Sequence, residues 1–478
     1  MRNIIIFTFL ISIFCSLQLN ARTFQISTDG EYKKPSAVVN LVSDGDTVEI
    51  QSGEYLEDVA SWRKNNLVFH GVNGYAHLNA NGKSAESKAI WVIKGNDCKV
   101  ENIEFSNCRV PDNNGAGIRM EGTNLTLSYC YFHDNQDGIL TGANPNSTLI
   151  VEYCEFGNNS ADDGLSHNMY IGHLKEFYLK YSYIHNARVG HNVKSRAVAT
   201  YILYNRIMDE KAGNSSYLID VPNGGLTCIM GNILMKSNLA ENPSAISYGF
   251  EGTYDTLTNS IFLINNTFLN YKNNGKFAQI KDGIANFESL VINNLIAGTS
   301  NFITGKCDTA ANLILKNIDD AKLVNPEAYD YHLLENSPAR NNGQNPLNFQ
   351  QNIYGFYPEY EYVHKPFKTV RNVAKTIDIG AYEYPENETS VEDNAFPIIK
   401  LFPNPAHNQM SISFNSIETK ETKIAILNAL GQSILELNPI ISTLNTIDID
   451  LSNISNGVYF LKLEAGGNIY FEKFILNH

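Results

Sequence analysis

Residues 190–197 read GHNVKSRA and place His191, Lys194 and Arg196 within six positions of a chain whose formal net charge is −14. Strand alternation would bury Val193 and Ser195 and turn Lys194 and Arg196 outward, about 6–7 Å apart. Two cations that close disfavour each other's protonation, and only the lysine can respond, because arginine stays charged at ordinary pH. Lys194 is thereby a candidate proton acceptor near neutrality. β-Elimination in a uronic-acid polymer needs such a base to remove the proton alpha to the carboxylate. A cation steadies the enolate that forms, and an acid protonates the leaving oxygen. The candidate catalytic parts are Lys194 as base, Arg196 as carboxylate clamp, and His191 or Tyr170 as acid. Arg119, His167, Asn168, Asn192, Asp220 and Asn223 are candidate substrate contacts.

Each residue also has a plainer reading. A lysine and an arginine on an exposed strand are most often solvated surface. A histidine alone more often caps a turn or lies partly buried. Asp220 is a candidate calcium ligand, a partner for Lys194, or a turn residue before Pro222, and a lone carboxylate does not establish a calcium site. Asp162 and Asp163 in ADDGLSH offer a rival pair for glycoside hydrolysis, but neighbours on a strand point to opposite faces and DDG commonly forms a turn. A glycan-binding solenoid without chemistry is a third reading.

These residues can meet only if distant stretches of chain stack. Aligning the sequence on itself gives LTLSYCYFHDN, LIVEYCEFGNN, FYLKYSYIHNA, TYILYNRIMDE, TCIMGNILMKS, IFLINNTFLN and SLVINNLIAG, each read as an alternating strand ending in a polar turn. Their closing apolar residues, from Phe132 to Ile296, recur at intervals of 24, 28, 23, 27, 34 and 28. Short strands at such a period indicate a solenoid. Two positions earlier stand Cys130, Cys154, Ser182, Asn205, Asn232, Asn266 and Asn294, small polar residues that would stack as an internal ladder about 4.8 Å apart. Cys130 and Cys154 then read as stacked reduced thiols. A second strand follows each phrase: GIRMEG, DGILTG, NMYIGH, NVKSRA, YLIDVP, ISYGFEG. Its alignment brings Tyr170, Lys194 and Asp220 into one column.

These features resemble the right-handed parallel β-helix of the pectate lyase type over approximately Thr23 to Glu383. Handedness is implied by that resemblance, and LVNPEAYDYHLLENSPARNNG with IDIGAYEY reads as its final coils. NVKSRAVATYILYNRIMDEKAGNSSYLIDVPNGGLTCIMGN resembles the central coils of the alginate lyase and chondroitinase B group. In that group a VKS strand carries the catalytic lysine, which Lys194 matches, and Asn205 matches the turn that follows. The group's arginine lies on the next coil, where this chain has LIDVP, so Arg196 does not match it and the acid is not carried over.

Seen whole, the chain is expected to be all-β: a parallel β-helix solenoid followed by a small C-terminal β-sandwich. Arg2, the apolar stretch Ile4 to Leu19 and LNA ending at Ala21 read as a signal peptide, 1–21. The β-helix spans 22–384, a polar linker 385–397, and a sorting domain 398–478. The last resembles the type IX secretion sorting domain of Bacteroidetes, through FPNP and NGVYFLKL. No later segment has the roughly 18 consecutive apolar residues of a membrane span. Acidity argues against nucleic acid as partner. The expected partners are an acidic polysaccharide and the type IX secretion machinery, for an exported monomer with no certain cofactor and calcium left open.

Overall fold

Nearly every coil turns its sharpest corner on two residues, the first left-handed and the second buried. The corner residues Tyr129, Tyr153, Tyr181 and Tyr204 have φ between 52° and 56°. Side chains resist that conformation, and here the tyrosine rings stack from coil to coil, with centroids 4.9, 5.1 and 5.8 Å apart. The second corner residues form the ladder expected from sequence. Each accepts the backbone N–H of its counterpart one coil earlier: Cys130 N–H to Cys154 Sγ, Cys154 N–H to Ser182 Oγ, Ser182 N–H to Asn205 Oδ1, Asn205 N–H to Asn232 Oδ1. Asn266, Asn294 and, one coil further, Asn312 continue the series. The six cysteines after the expected signal are free thiols.

The corner divides each repeating phrase, so a coil contains three strands where the sequence suggested two. The structure, a computed structural model, describes residues 21–254 and 259–385, and in the C-terminal unit 399–402, 406, 408–414, 422–428, 433–437, 446–465 and 468–476. Within 21–385 the strands pair in parallel and in register. Two faces merge through the long strand Val68–Asn79 into one 21-stranded network, and the third is a ten-stranded sheet. Inward side chains from all three form one continuous apolar core, in which Phe105, Phe132 and Phe156 stack at 4.9 and 4.5 Å. The helical turn Pro35–Val38 covers its first coil with Val38 and Val42.

The last parallel strand is Leu313–Leu315. The stretches expected as final coils do not continue the parallel stack: Leu323–Asn325 pairs antiparallel with Asp330–Leu333, and between the two stretches Tyr360–Val363 pairs antiparallel with Phe367–Val370. Prolines at 326, 338 and 346 interrupt regular strands there. The segment folds back along the solenoid: Asn265 Nδ2 donates to the Asp378 and Gly380 carbonyls, and Glu359 N–H to Tyr204 Oη. Its Tyr331, Tyr362 and Tyr382 bury a side of the coils that would otherwise be apolar and exposed.

Residues Glu386–His478 form a separate unit. A three-stranded and a four-stranded antiparallel sheet share an apolar core containing Ile412, Ile426, Leu461 and Phe474. The expected leader, apart from Ala21, and the expected linker, apart from Pro385, lie outside the described residues. No helix among the described residues is long and apolar enough to cross a membrane.

The ladder yields a stability prediction. Asn232 accepts from both Asn205 N–H and Asn205 Nδ2 and donates to the Ile202 carbonyl. Asn232→Ala should cost about 2–4 kcal/mol, because buried donors lose their acceptor. Cys154→Ser keeps an acceptor in place and should cost less than about 1 kcal/mol. Chemical denaturation of the two variants measures the difference, and equal losses would deny the ladder its role.

Candidate functional site

The ten-stranded sheet carries the candidate residues. Its strands Met169–Ile171, Val193–Ser195 and Ile219–Val221 place Tyr170 beside Lys194 and Lys194 beside Asp220, as the sequence alignment required. Ser247 and Gln279 extend the same outward column. Val193 and Ser195 point inward, the latter hydrogen bonded to Thr200.

Lys194 and Arg196 are not a bare cation pair. Glu251, from the turn after Ser244–Tyr248, spans both: Lys194 Nζ lies 3.0 Å from Glu251 Oε1, and Arg196 Nη2 donates to Oε2. Lys194 Nζ also lies 3.6 Å from Asp220 Oδ2. Two cations and two carboxylates therefore balance, which corrects the picture of mutual repulsion drawn from sequence. Arg196 is further held by Tyr170 Oη at 2.9 Å from Nε and by Asn223 Oδ1 at 2.6 Å from Nη1. Asn223 in turn donates to the Gly252 carbonyl, and Tyr254 Oη to the Arg196 carbonyl. Burial pushes the Asp220 carboxyl up to about 6, against the pull of Lys194. Glu251 moves the other way: desolvation would raise it, but Arg196 and Lys194 hold it below the usual carboxylate range.

Beside this cluster the histidines form a column of their own. His167 N–H donates to Asp137 Oδ1 at 2.7 Å, His191 N–H to His167 Nδ1 at 3.0 Å, and Tyr217 N–H to His191 Nδ1 at 3.2 Å. A ring nitrogen that accepts a backbone N–H must offer its lone pair, so each neutral imidazole carries its proton on Nε2. The two rings stack 4.7 Å apart and 6° from parallel, and His191 Nε2 lies 3.6 Å from Asp220 Oδ2. Burial, with Lys194 adding, lowers His167 to about 3. Burial also drives His191 well below its ordinary value, with His167 and then Lys194 contributing. Both are neutral hydrogen-bond donors rather than cationic acids. Asp137 heads the column, and burial pushes its carboxyl up to about 8.

The remaining candidates lie elsewhere. Asn168 and Asn192 are fully buried and belong to a second internal ladder, with Asn168 Nδ2 donating to Asn192 Oδ1 at 2.8 Å; they cannot contact substrate. His167 is also almost wholly covered, at 2% exposure. Arg119 shares the column of Lys194 but stands beyond Leu140, two coils or about 10 Å from Tyr170. Asp163 Oδ1 caps its own turn by accepting from Leu165 N–H, Ser166 N–H and Ser166 Oγ, and Asp162 pairs with Arg188, so the two do not form a hydrolytic pair. Sequence reading missed Glu251, Tyr254, Tyr217 and Asp137. Glu251 falls within the aligned phrase ISYGFEG, but nothing in the period says that the turn after it folds back over the preceding coils.

Residues 400–477 match the family described as a secretion system C-terminal sorting domain. This tail indicates export by type IX secretion to the cell surface or extracellular space. No curated protein matches the chain. Among solved structures, the chain is similar to pectin methylesterase PemA from Erwinia chrysanthemi, at 12% identity and a TM-score of 0.34, over 45% of this chain and 79% of that one. It is also similar to the deglycosylated pectin methylesterase of Aspergillus niger, at 11% identity and a TM-score of 0.28, over 61% of this chain and 88% of that one.

The histidine geometry fixes a pH response. The unfolded chain takes up protons at His167 and His191 below about 6.5, and the folded chain does not, so the histidines' contribution to stability falls as pH drops through that value, while the raised carboxyls of Asp137 and Asp220 contribute with the opposite sign. The ring Cε1–H resonances of both residues, assigned with His167→Gln and His191→Gln, should stay constant through it. A resonance of either residue that titrates there would disprove the locked neutral form.

Proposed function

We propose that the site around Lys194 binds an acidic, uronate-containing polysaccharide outside the cell and cleaves it by β-elimination. The supporting observation is Glu251. A carboxylate from the chain itself spans Lys194 and Arg196, so these two cations are spaced and aimed to receive a carboxylate. A uronate in its place would be clamped by Arg196 and would set its alpha carbon beside the Lys194 amine. The match of Lys194 to the lysine of the alginate lyase and chondroitinase B group supports the same assignment.

The chemistry divides among the neighbours. The Lys194 amine must first shed a proton, and Asp220, whose burial lets it hold one up to about pH 6, is the acceptor within reach. The free amine takes the proton alpha to the carboxylate, the electrons form the new carbon–carbon double bond, and the glycosidic carbon–oxygen bond breaks. Tyr170 is the better-placed acid for the leaving oxygen. Its hydroxyl accepts Arg196 Nε–H, which leaves its own proton to donate. His191, neutral with its proton on Nε2, serves as a donor to developing negative charge rather than as the acid.

Incubation with pectate, alginate and glycosaminoglycans should give the ultraviolet absorbance of an unsaturated uronate on one of them. Lys194→Ala should lower that rate by about 10²–10⁴-fold while circular dichroism stays unchanged. An undiminished rate removes Lys194 as base. New reducing ends without absorbance mean hydrolysis, and retention of glycan without turnover means a binding module.

The second expectation concerns Glu251. Because substrate and Glu251 compete for the same cations, Glu251→Gln should tighten binding of an acidic oligosaccharide several-fold in a calorimetric titration, by roughly 1 kcal/mol. Weaker binding would show that Glu251 supports the substrate site instead of occupying it.

A further inference from the structure

A second cluster lies on another face of the solenoid, apart from the Lys194 site. His77, on Val68–Asn79, is in register with Glu104, on Ile103–Ser106, one coil on. His133, on Tyr131–His133, pairs with Ser106 and so stands one coil further and two residues along. Strand alternation turns all three outward on the same side. One ligand atom from each of His77, Glu104 and His133 lies within 4.8 Å of the other two. Glu104 Oε1 is 2.9 Å from His133 Nε2 and 3.6 Å from His77 Nε2.

We propose that His77, Glu104 and His133 form a binding site for a zinc-class divalent metal ion. Ligand atoms about 2.0–2.1 Å from a tetrahedral zinc lie about 3.3 Å apart, and the two contacts above bracket that separation. Two imidazoles and one carboxylate select a borderline transition metal over calcium, which prefers oxygen ligands throughout.

Two further contacts prepare the nitrogens. His133 Nδ1 lies 2.8 Å from Asp134 Oδ2, the carboxylate partner that orients metal-bound histidines, and Nε2 points at Glu104 with a proton that a bound metal would displace. Ser106 Oγ accepts Asn107 Nδ2 at 3.2 Å, which leaves the hydroxyl proton to donate to His77 Nε2, 2.7 Å away. That arrangement leaves His77 Nε2 unprotonated, with its lone pair held by Ser106 until the hydroxyl turns aside for a metal. The Tyr131 ring, 4.4 Å from that of His133, limits its rotation. Side-chain exposures of 25%, 20% and 17% for His77, Glu104 and His133 leave one side of the cluster open. Three protein ligands with an open fourth position admit water or a ligand atom at the metal.

The test uses the full-length protein stripped with a chelator and titrated with zinc against a chromophoric competitor. One equivalent should bind, and cobalt in its place should give the intense visible absorption of a four-coordinate ion. His133→Gln and Glu104→Gln should each weaken zinc by at least about tenfold, and Asp134→Asn by about 10–100-fold through loss of the orienting carboxylate. Circular dichroism without metal confirms that each variant is folded, and the near-isosteric Glu104→Gln keeps the test open if a histidine variant is not. Absence of zinc binding, or binding equal in wild type and all three variants, would overturn the site. Polysaccharide cleavage plays no part in the readout, so either proposal can fail alone.

Discussion

Parallel, in-register stacking at one coil spacing is the constraint from which the rest of this molecule follows. A side chain's nearest neighbours above and below are the residues one coil away, whatever their separation in sequence. Inside, this rule lets an asparagine satisfy the backbone of the coil before it, as Asn205, Asn232, Asn266 and Asn294 do in succession. Each buried amide answers a donor that would otherwise cost free energy unpaired. Outside, the same rule gathers Tyr170, Lys194 and Asp220 from three coils into contact.

The charge cluster divides into two parts with different costs of opening. Asp220 and Lys194 are almost fully covered, with side-chain exposures of 5% and 11%, and removing either would strand a buried charge. Glu251 is 46% exposed. An ion pair so close to water is worth little, so its carboxylate can leave at small cost while the buried pair stays fixed. The fixed half is thus preorganised and the exposed half exchangeable, as a site for an exchangeable acidic ligand requires.

What was legible in the sequence is what the period encodes. The ladder residues, the columns and the outward direction of Lys194 all repeat once per coil, and a register found in one coil carries to the next. Features made by turns were not legible. Glu251 reaches Lys194 because the turn at Gly249 and Gly252, both at positive φ, bends back over earlier coils. The histidines' tautomer depends on backbone N–H groups of the following coil, which no residue type announces. The tyrosine corners hid because a tyrosine in left-handed backbone is rare, and here the rings pay for it by stacking. The hairpins after Leu315 shared their wording with coils and differ in tertiary placement, where prolines and packing decided. His133 stood in plain view after the closing Phe132 of its phrase, but its convergence with His77 needs two coils and a two-residue offset.

The net acidity of the chain bears on what the proposed site could select. A protein of formal charge −14 repels an acidic polymer over most of its surface, so attraction must be local. With Glu251 seated, even the Lys194 cluster is balanced, and long-range steering contributes little. Selectivity on the proposed reading then rests on exchange: a uronate carboxylate can take the place of Glu251 at Arg196 and Lys194 without leaving either cation unpaired. A neutral sugar cannot, because displacing Glu251 would leave Arg196 without a carboxylate and Lys194 with Asp220 alone. On that reading the internal carboxylate would act as a charge filter at close range, favouring ligands that restore the balance they disturb.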